Sequence, residues 1–255
     1  MQSLPIVAFT DLDDTLFSTL RKHRPDADLQ PQAYLKDGAA ISYSDARQRA
    51  LQQWLATGTR VVPVTARSIG AYQRVRLPFN SYAVVSHGAC VLLPDGTPDP
   101  QWTGQMQTLL SAAAEPLAQA YQALLNSPQN ASAQLRVTLV TEHGQPLYAL
   151  AKHAQGDEQA VAELAERIAQ PWIAAHSGFQ LHVNGNNLAI IPPGIGKAAA
   201  VQYVRAQLLL QIGDFMSIGL GDSLTDGAFM LDCDYALMPS RSQLSAALRT
   251  RLHGV

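Results

Sequence analysis

The run Ile6-Val7-Ala8-Phe9-Thr10 is apolar up to its last residue and stops, with no intervening turn, at Asp11-Leu12-Asp13-Asp14-Thr15. A half-buried strand alternates apolar and polar residues, whereas a continuous apolar run of β-forming residues suits a strand covered on both faces, as in a parallel α/β sheet. Carboxylates placed directly after such a strand leave its carboxyl end, where open α/β sheets hold their ligands. This juncture therefore restricts both the fold class and the place where chemistry is expected.

The rest of the chain repeats the pattern. Arg60 to Thr65 is a second buried run, and between the two Ser44-Asp45 caps a helix over Ala46 to Ala56 with Gly58 as its stop. Strand, helix, strand is a parallel βαβ unit. Tyr82 to Ser86, Leu188 to Ile191, Phe215 to Leu220 and Tyr235 to Met238 read as further buried strands, and Ala198 to Leu210 as a helix before Gly213. The alternation predicts an α/β chain with a doubly wound parallel sheet. Its middle differs. A hairpin around Pro94-Asp95-Gly96 and a helix over Gln105 to Leu125 precede two strand-like runs, Gln134 to Thr141 and Pro146 to Lys152, with His143-Gly144 between them. A helix over Asp157 to Ala169 and a strand over Phe179 to Val183 complete the block. Hairpins with two helices predict a smaller α+β domain, 88–187, inserted into a core of 1–87 and 188–255, with Gly88 and Gly185-Asn186-Asn187 as hinges.

Composition narrows the partner. Hydrophobic residues make up 47% and charged residues 15%, the balance of a globular chain, and a formal charge of −2 supplies no field for nucleic acid or an anionic membrane. Cys90 and Cys233 stand far apart and outside any Cys/His cluster, which argues against a zinc site or a disulfide framework and fits a reducing cytoplasm. The first ten residues lack a basic segment of the secretory type, and no stretch reaches the length of a membrane span. A small molecule is the expected partner.

Two acidic strand ends carry the chemistry. At the first, Asp11 and Asp13 are neighbouring carboxylates able to divide the roles of ionised nucleophile and protonated acid; an acidic turn capping a helix is the alternative. At the second, Gly221-Asp222-Ser223-Leu224-Thr225-Asp226 follows Phe215 to Leu220, and an oxygen-rich cluster without grouped Cys or His points to Mg²⁺ rather than zinc. Taken singly, Asp222 and Asp226 also suit turn or N-cap positions. Thr65 closes the second strand, where its hydroxyl and the following amides suit a phosphate. Lys197 opens a helix, where a cation is unfavourable against the dipole and so implies an anion nearby, unless it is an exposed surface lysine. Arg67 either reaches substrate or makes a structural ion pair. Arg21-Lys22-His23-Arg24 reads as a solvated charge run or a contact for an anionic leaving group, while His153, His182 and Asn184 are lone polar residues of the insert.

The ordered set Asp-x-Asp-x-Thr, strand-end Thr, Lys before a helix and Gly-Asp-Ser-x-x-Asp resembles the four motifs of the haloacid dehalogenase superfamily. The inserted block resembles, by position and pattern, the type IIB cap of its Cof-like and sucrose-phosphate-phosphatase-like branch. That resemblance implies a phosphatase for a small phosphorylated metabolite, a sugar phosphate, in which Asp11 is the nucleophile and Asp13 the acid and later the base. Thr65 and Lys197 would hold the transferring phosphoryl group. Asp11, the backbone carbonyl of Asp13 and Asp222 would bind Mg²⁺, with Asp226 and Ser223 orienting that shell. This chain departs from many Cof-like members in having Thr225 in place of Asn, and His87-Gly88 in place of Asn-Gly. A phosphomannomutase-like mutase shares the motifs and the cap, and an inactive binding module shares the fold.

Overall fold

The computed structural model describes residues 4–132 and 134–253. Strand β1 (Ile6–Thr10) is buried from Val7 onward and is followed by a three-stranded antiparallel sheet of β2 (Ser18–Thr19), β3 (Gln30–Tyr34) and β4 (Ala40–Ser44), ordered β2-β4-β3. Helix α1 (Ala46–Ala56) starts at Asp45, whose carboxylate accepts the N–H groups of Arg47 and Gln48 while the Gln48 side chain accepts the Asp45 N–H. That reciprocal cap satisfies donors left over at the helix start. Next come β5 (Thr59–Pro63), the short α2 (Ile69–Tyr72), β6 (Ala83–Val85) and β7 (Cys90–Leu92). β7 pairs with β6, and the turn after it closes through Gly96 N–H to Leu93 O and Leu93 N–H to Thr97 O. The long α3 (Pro100–Leu125) carries Pro116 without ending there.

The inserted segment continues with α4 (Pro128–Ser132), β8 (Leu135–Glu142) and β9 (Gln145–His153), joined by His143 and Gly144 at φ 49° and 80°. Paired left-handed residues give a hairpin turn whose twist matches its strands. Helix α5 (Glu158–Leu164) runs through a π-helical turn, Ala165–Ala169, into α6 (Gln170–Ala175), and β10 (Gln180–Asn184) and β11 (Asn187–Ile191) follow. The four strands form one antiparallel sheet, β10-β11-β9-β8, over a core that includes Leu117, Leu124, Leu164, Leu188 and Ile190.

The chain then makes α7 (Lys197–Ile212), β12 (Met216–Leu220), α8 (Leu224–Leu231), β13 (Tyr235–Leu237) and α9 (Gln243–His253). β12 lies parallel to β1 on the side opposite β5, which gives the sheet β13-β12-β1-β5. Ala8, Leu12, Phe17, Leu55, Ile218 and Leu220 share one core. The fold is mixed α/β, with a parallel core sheet and separate antiparallel sheets.

The molecule divides into two compact units, one reaching Trp102 and resuming at Gly196, the other Thr103–Ile195. Both crossings lie later than the expected 87 and 187. At the first, β7 pairs with β6, Asp99 caps the start of α3, and the Trp102 indole N–H donates to Gly88 O while its ring meets Tyr203. At the second, Leu188 to Ile191 is not a core strand as expected: β11 pairs antiparallel with β9 and β10. Gly185-Asn186 is the two-residue turn of the β10–β11 hairpin, so Gly185 serves there as a turn residue at φ 55°. Tyr235 to Met238 also departs from expectation. It is the sheet edge, with Tyr235 61% and Leu237 42% exposed.

Candidate active site

The register of the parallel sheet assembles the site. Thr10 pairs with Leu220, so the residues that follow β1 and β12 emerge side by side, and Asp11 N–H donates to Leu220 O at 2.8 Å. Asp11, Asp222 and Asp226 are all buried, and one carboxylate oxygen from each lies within 4.8 Å of the others. Asp226 stands in the first turn of α8, where its carboxylate accepts the Ser223 N–H at 3.0 Å and the Ser223 hydroxyl at 2.7 Å. An acid at that position also complements the helix dipole.

Lys197 is the first residue of α7, and its buried ammonium donates to Asp11 Oδ1 at 2.6 Å and to Asp226 Oδ1 at 2.7 Å. A lysine at a helix N-terminus and out of water is unfavourable on two counts. Burial lowers its proton affinity, but Asp11 and Asp226 outweigh that and raise it overall. Burial likewise pushes the Asp11 carboxyl up, Lys197 pulls against it, and Asp226 and Asp222 add to the push. Asp226 moves down, since Lys197 and Ser223 outweigh its burial. Asp222 is pushed up to about 7, by burial first and then by Asp226 and Asp14. The cluster thus holds more carboxylate than one ammonium can balance.

Thr65 follows β5 on the other side of β1, where Val64 N–H donates to Thr10 O and Thr65 N–H to Val84 O. Its buried hydroxyl accepts the Arg67 N–H at 3.1 Å. Asp13 opens a tight turn in which Asp14 N–H donates to Phe17 O. Its two carboxylate oxygens accept from Arg67 Nε and Nη2, both at 2.7 Å. The candidate residues Asp11, Lys197, Asp222, Ser223 and Asp226 meet in one cluster, and Arg67 makes an ion pair with Asp13.

Three features have no signal in the linear pattern. Ser42 on β4 accepts from Arg67 Nη2 at 3.2 Å. Asp14, at φ 65°, pairs with Lys22 at 2.5 Å, which draws one member of the basic run into an ion pair. Ser86, His87 and Gly88 take successive left-handed conformations, with φ 52°, 58° and 94°. His153, in the second unit, is buried, and its Nδ1 accepts the N–H groups of Gln155 and Asp157.

No family model matches the chain, and no curated protein matches it in sequence. Solved structures do match. A sucrose-phosphatase from Synechocystis sp., solved with sucrose and phosphate, is 15% identical with a TM-score of 0.56 and aligns over 99% of this chain and 89% of its own. The C-terminal domain of a C. albicans trehalose-6-phosphate phosphatase is 13% identical with a TM-score of 0.58, over 89% and 73%. A trehalose-6-phosphate phosphatase related protein is 20% identical with a TM-score of 0.51, over 91% and 85%. At these identities the likeness is one of fold, which this chain shares with these phosphatases along most of its length. In this chain Asp11, Thr65 and Asp222 lie just past the ends of β1, β5 and β12, and Lys197 opens α7.

Proposed function

We propose that this protein is a Mg²⁺-dependent phosphatase that hydrolyses a small phosphorylated metabolite through a phosphoryl-aspartate at Asp11. The observation that carries the reading is the Lys197 ammonium joined to both Asp11 and Asp226 at the end of β1, beside Asp222. A carboxylate nucleophile needs to be ionised, and a buried one needs a cation to stay so. The names of the neighbouring folds, phosphatases for sucrose phosphate and trehalose 6-phosphate, support a sugar phosphate as substrate.

Three buried carboxylates facing one ammonium, with Asp222 pushed up to about 7, are a donor set that suits a hard divalent ion. Asp11, Asp222 and the backbone carbonyl of Asp13 would hold it, with Asp226 and Ser223 orienting them. Once bound, Mg²⁺ offsets the negative charge of the phosphoryl oxygens. The residues do the rest. An Asp11 oxygen attacks phosphorus as the bond to the leaving oxygen breaks, and that oxygen takes a proton from Asp13. Water then attacks the same phosphorus, gives its proton to Asp13, and frees Asp11 and inorganic phosphate. Thr65 and Lys197 hold the transferring group between the two steps.

Phosphate release with Mg²⁺ from a panel of sugar phosphates, polyol phosphates and nucleotides tests this reading. Asp11→Asn keeps the shape and loses the nucleophile, so turnover should vanish while the fold persists. Near-normal kcat in that variant would sink the assignment. Isomerisation that depends on a sugar bisphosphate, without phosphate release, would identify a mutase instead.

A further inference from the structure

We infer that Arg67 is the positioning residue for Asp13, locking its carboxylate in the orientation that acid–base transfer requires; this role rests on the phosphatase reading above. The Asp13 side chain is 40% exposed, against 14% for Arg67. A half-exposed carboxylate left to itself samples several rotamers. Two parallel N–H···O bonds of 2.7 Å define both the position and the plane of the carboxylate. The same group must face the leaving oxygen in one step and the attacking water in the next, so a fixed plane serves both.

Arg67 is itself held from several directions. Its guanidinium lies 5.1 Å over the ring of Phe17, which is wholly buried, and Nη2 also donates to the buried Ser42 hydroxyl. Its own N–H donates to Thr65 Oγ1 and its carbonyl accepts the Ser86 N–H at 2.7 Å. One residue therefore ties the acid–base group to the threonine expected to hold phosphate and to the small sheet of β2, β3 and β4. A planar fork does this and an ammonium does not.

The test compares a hexose phosphate, whose alkoxide leaves only with a proton, with p-nitrophenyl phosphate, whose phenolate leaves readily. Arg67→Lys keeps the charge and loses the fork. It should lower kcat for the hexose phosphate by roughly 10²-fold, the scale of general acid–base help, and for the aryl phosphate by only a few-fold. In an Asp13→Asn background it should add almost nothing, because both substitutions disable one function. Ser42→Ala, which removes a single acceptor from Arg67, should give the same substrate-dependent pattern at smaller size and guards against an Arg67 variant that fails to fold. Equal losses for both substrates, a raised KM for both, or additivity with Asp13→Asn would overturn the proposal and mark Arg67 as a direct grip on the phosphoryl group. Failure of the unmodified protein to release phosphate from either compound would instead overturn the phosphatase reading beneath it.

Discussion

The fold opposes the ionisation of Asp222, and that has a measurable consequence. Its folded-state acidity, near 7, lies above the usual carboxylate value because of burial and the nearby Asp226 and Asp14. Between the two values the folded state holds a proton that the unfolded chain has released, so stability contributed by Asp222 is present in acid and lost as pH rises toward 7. In chelator, thermal unfolding should occur at progressively lower temperature as pH is raised through that window. Mg²⁺ should restore most above pH 7, where its ligands are ionised. Asp222→Asn should flatten the slope and abolish the Mg²⁺ shift; an unchanged Mg²⁺ shift would remove Asp222 from the metal site. At this scale the sequence was informative about position, since Asp11, Thr65, Lys197 and Asp222 each stand at the end or start of an element, as expected. The clasp of Asp13 by Arg67 was not legible, since partners 54 positions apart meet only through the sheet.

Among the elements, the turn Ser86-His87-Gly88 couples parts of the site that are far apart in sequence. Its amides bond backward, Ser86 N–H to Arg67 O and His87 N–H to Thr65 O. Its third residue abuts the start of α7 so closely that a Cβ on Gly88 would stand 2.3 Å from Gly196 O and 3.0 Å from Lys197 N. Gly88→Ala meets both that obstacle and φ 94°, a strain on the order of 1–3 kcal/mol. We expect a lower melting temperature together with a lower kcat, because the backbone that must yield carries Lys197. A variant of normal stability and full kcat would show that the turn does not seat α7. Strands with a clear apolar run, β1, β5 and β12, were legible. β3, Gln30-Pro31-Gln32-Ala33-Tyr34, was not, because it is polar and carries a proline. β11 was legible as a strand but not as a member of the second unit, since buried strands of the two units share one pattern.

For the whole molecule, the two units have separate cores, Leu117 with Leu188 in one and Leu12 with Ile218 in the other. Cooperativity need not extend across both, and calorimetry should resolve two transitions. Mg²⁺ should raise only the transition that Asp222→Asn also shifts, since a ligand stabilises the unit that binds it. A single transition, shifted whole, would show that the units unfold together. The presence of an insert could be read from the change in pattern after β6, but its limits could not, because pairing and capping carry the first unit on to Trp102. The same connectivity governs how the protein is made. On the ribosome β1 acquires β5 early, yet its other edge waits for β12, which emerges only after the entire second unit. At roughly 5–20 residues per second that delay is on the order of ten seconds or more. The second unit, unbroken in sequence, can close its core first, while the nascent β1 stays an apolar strand with one open edge, exposed to wrong pairing until β12 arrives.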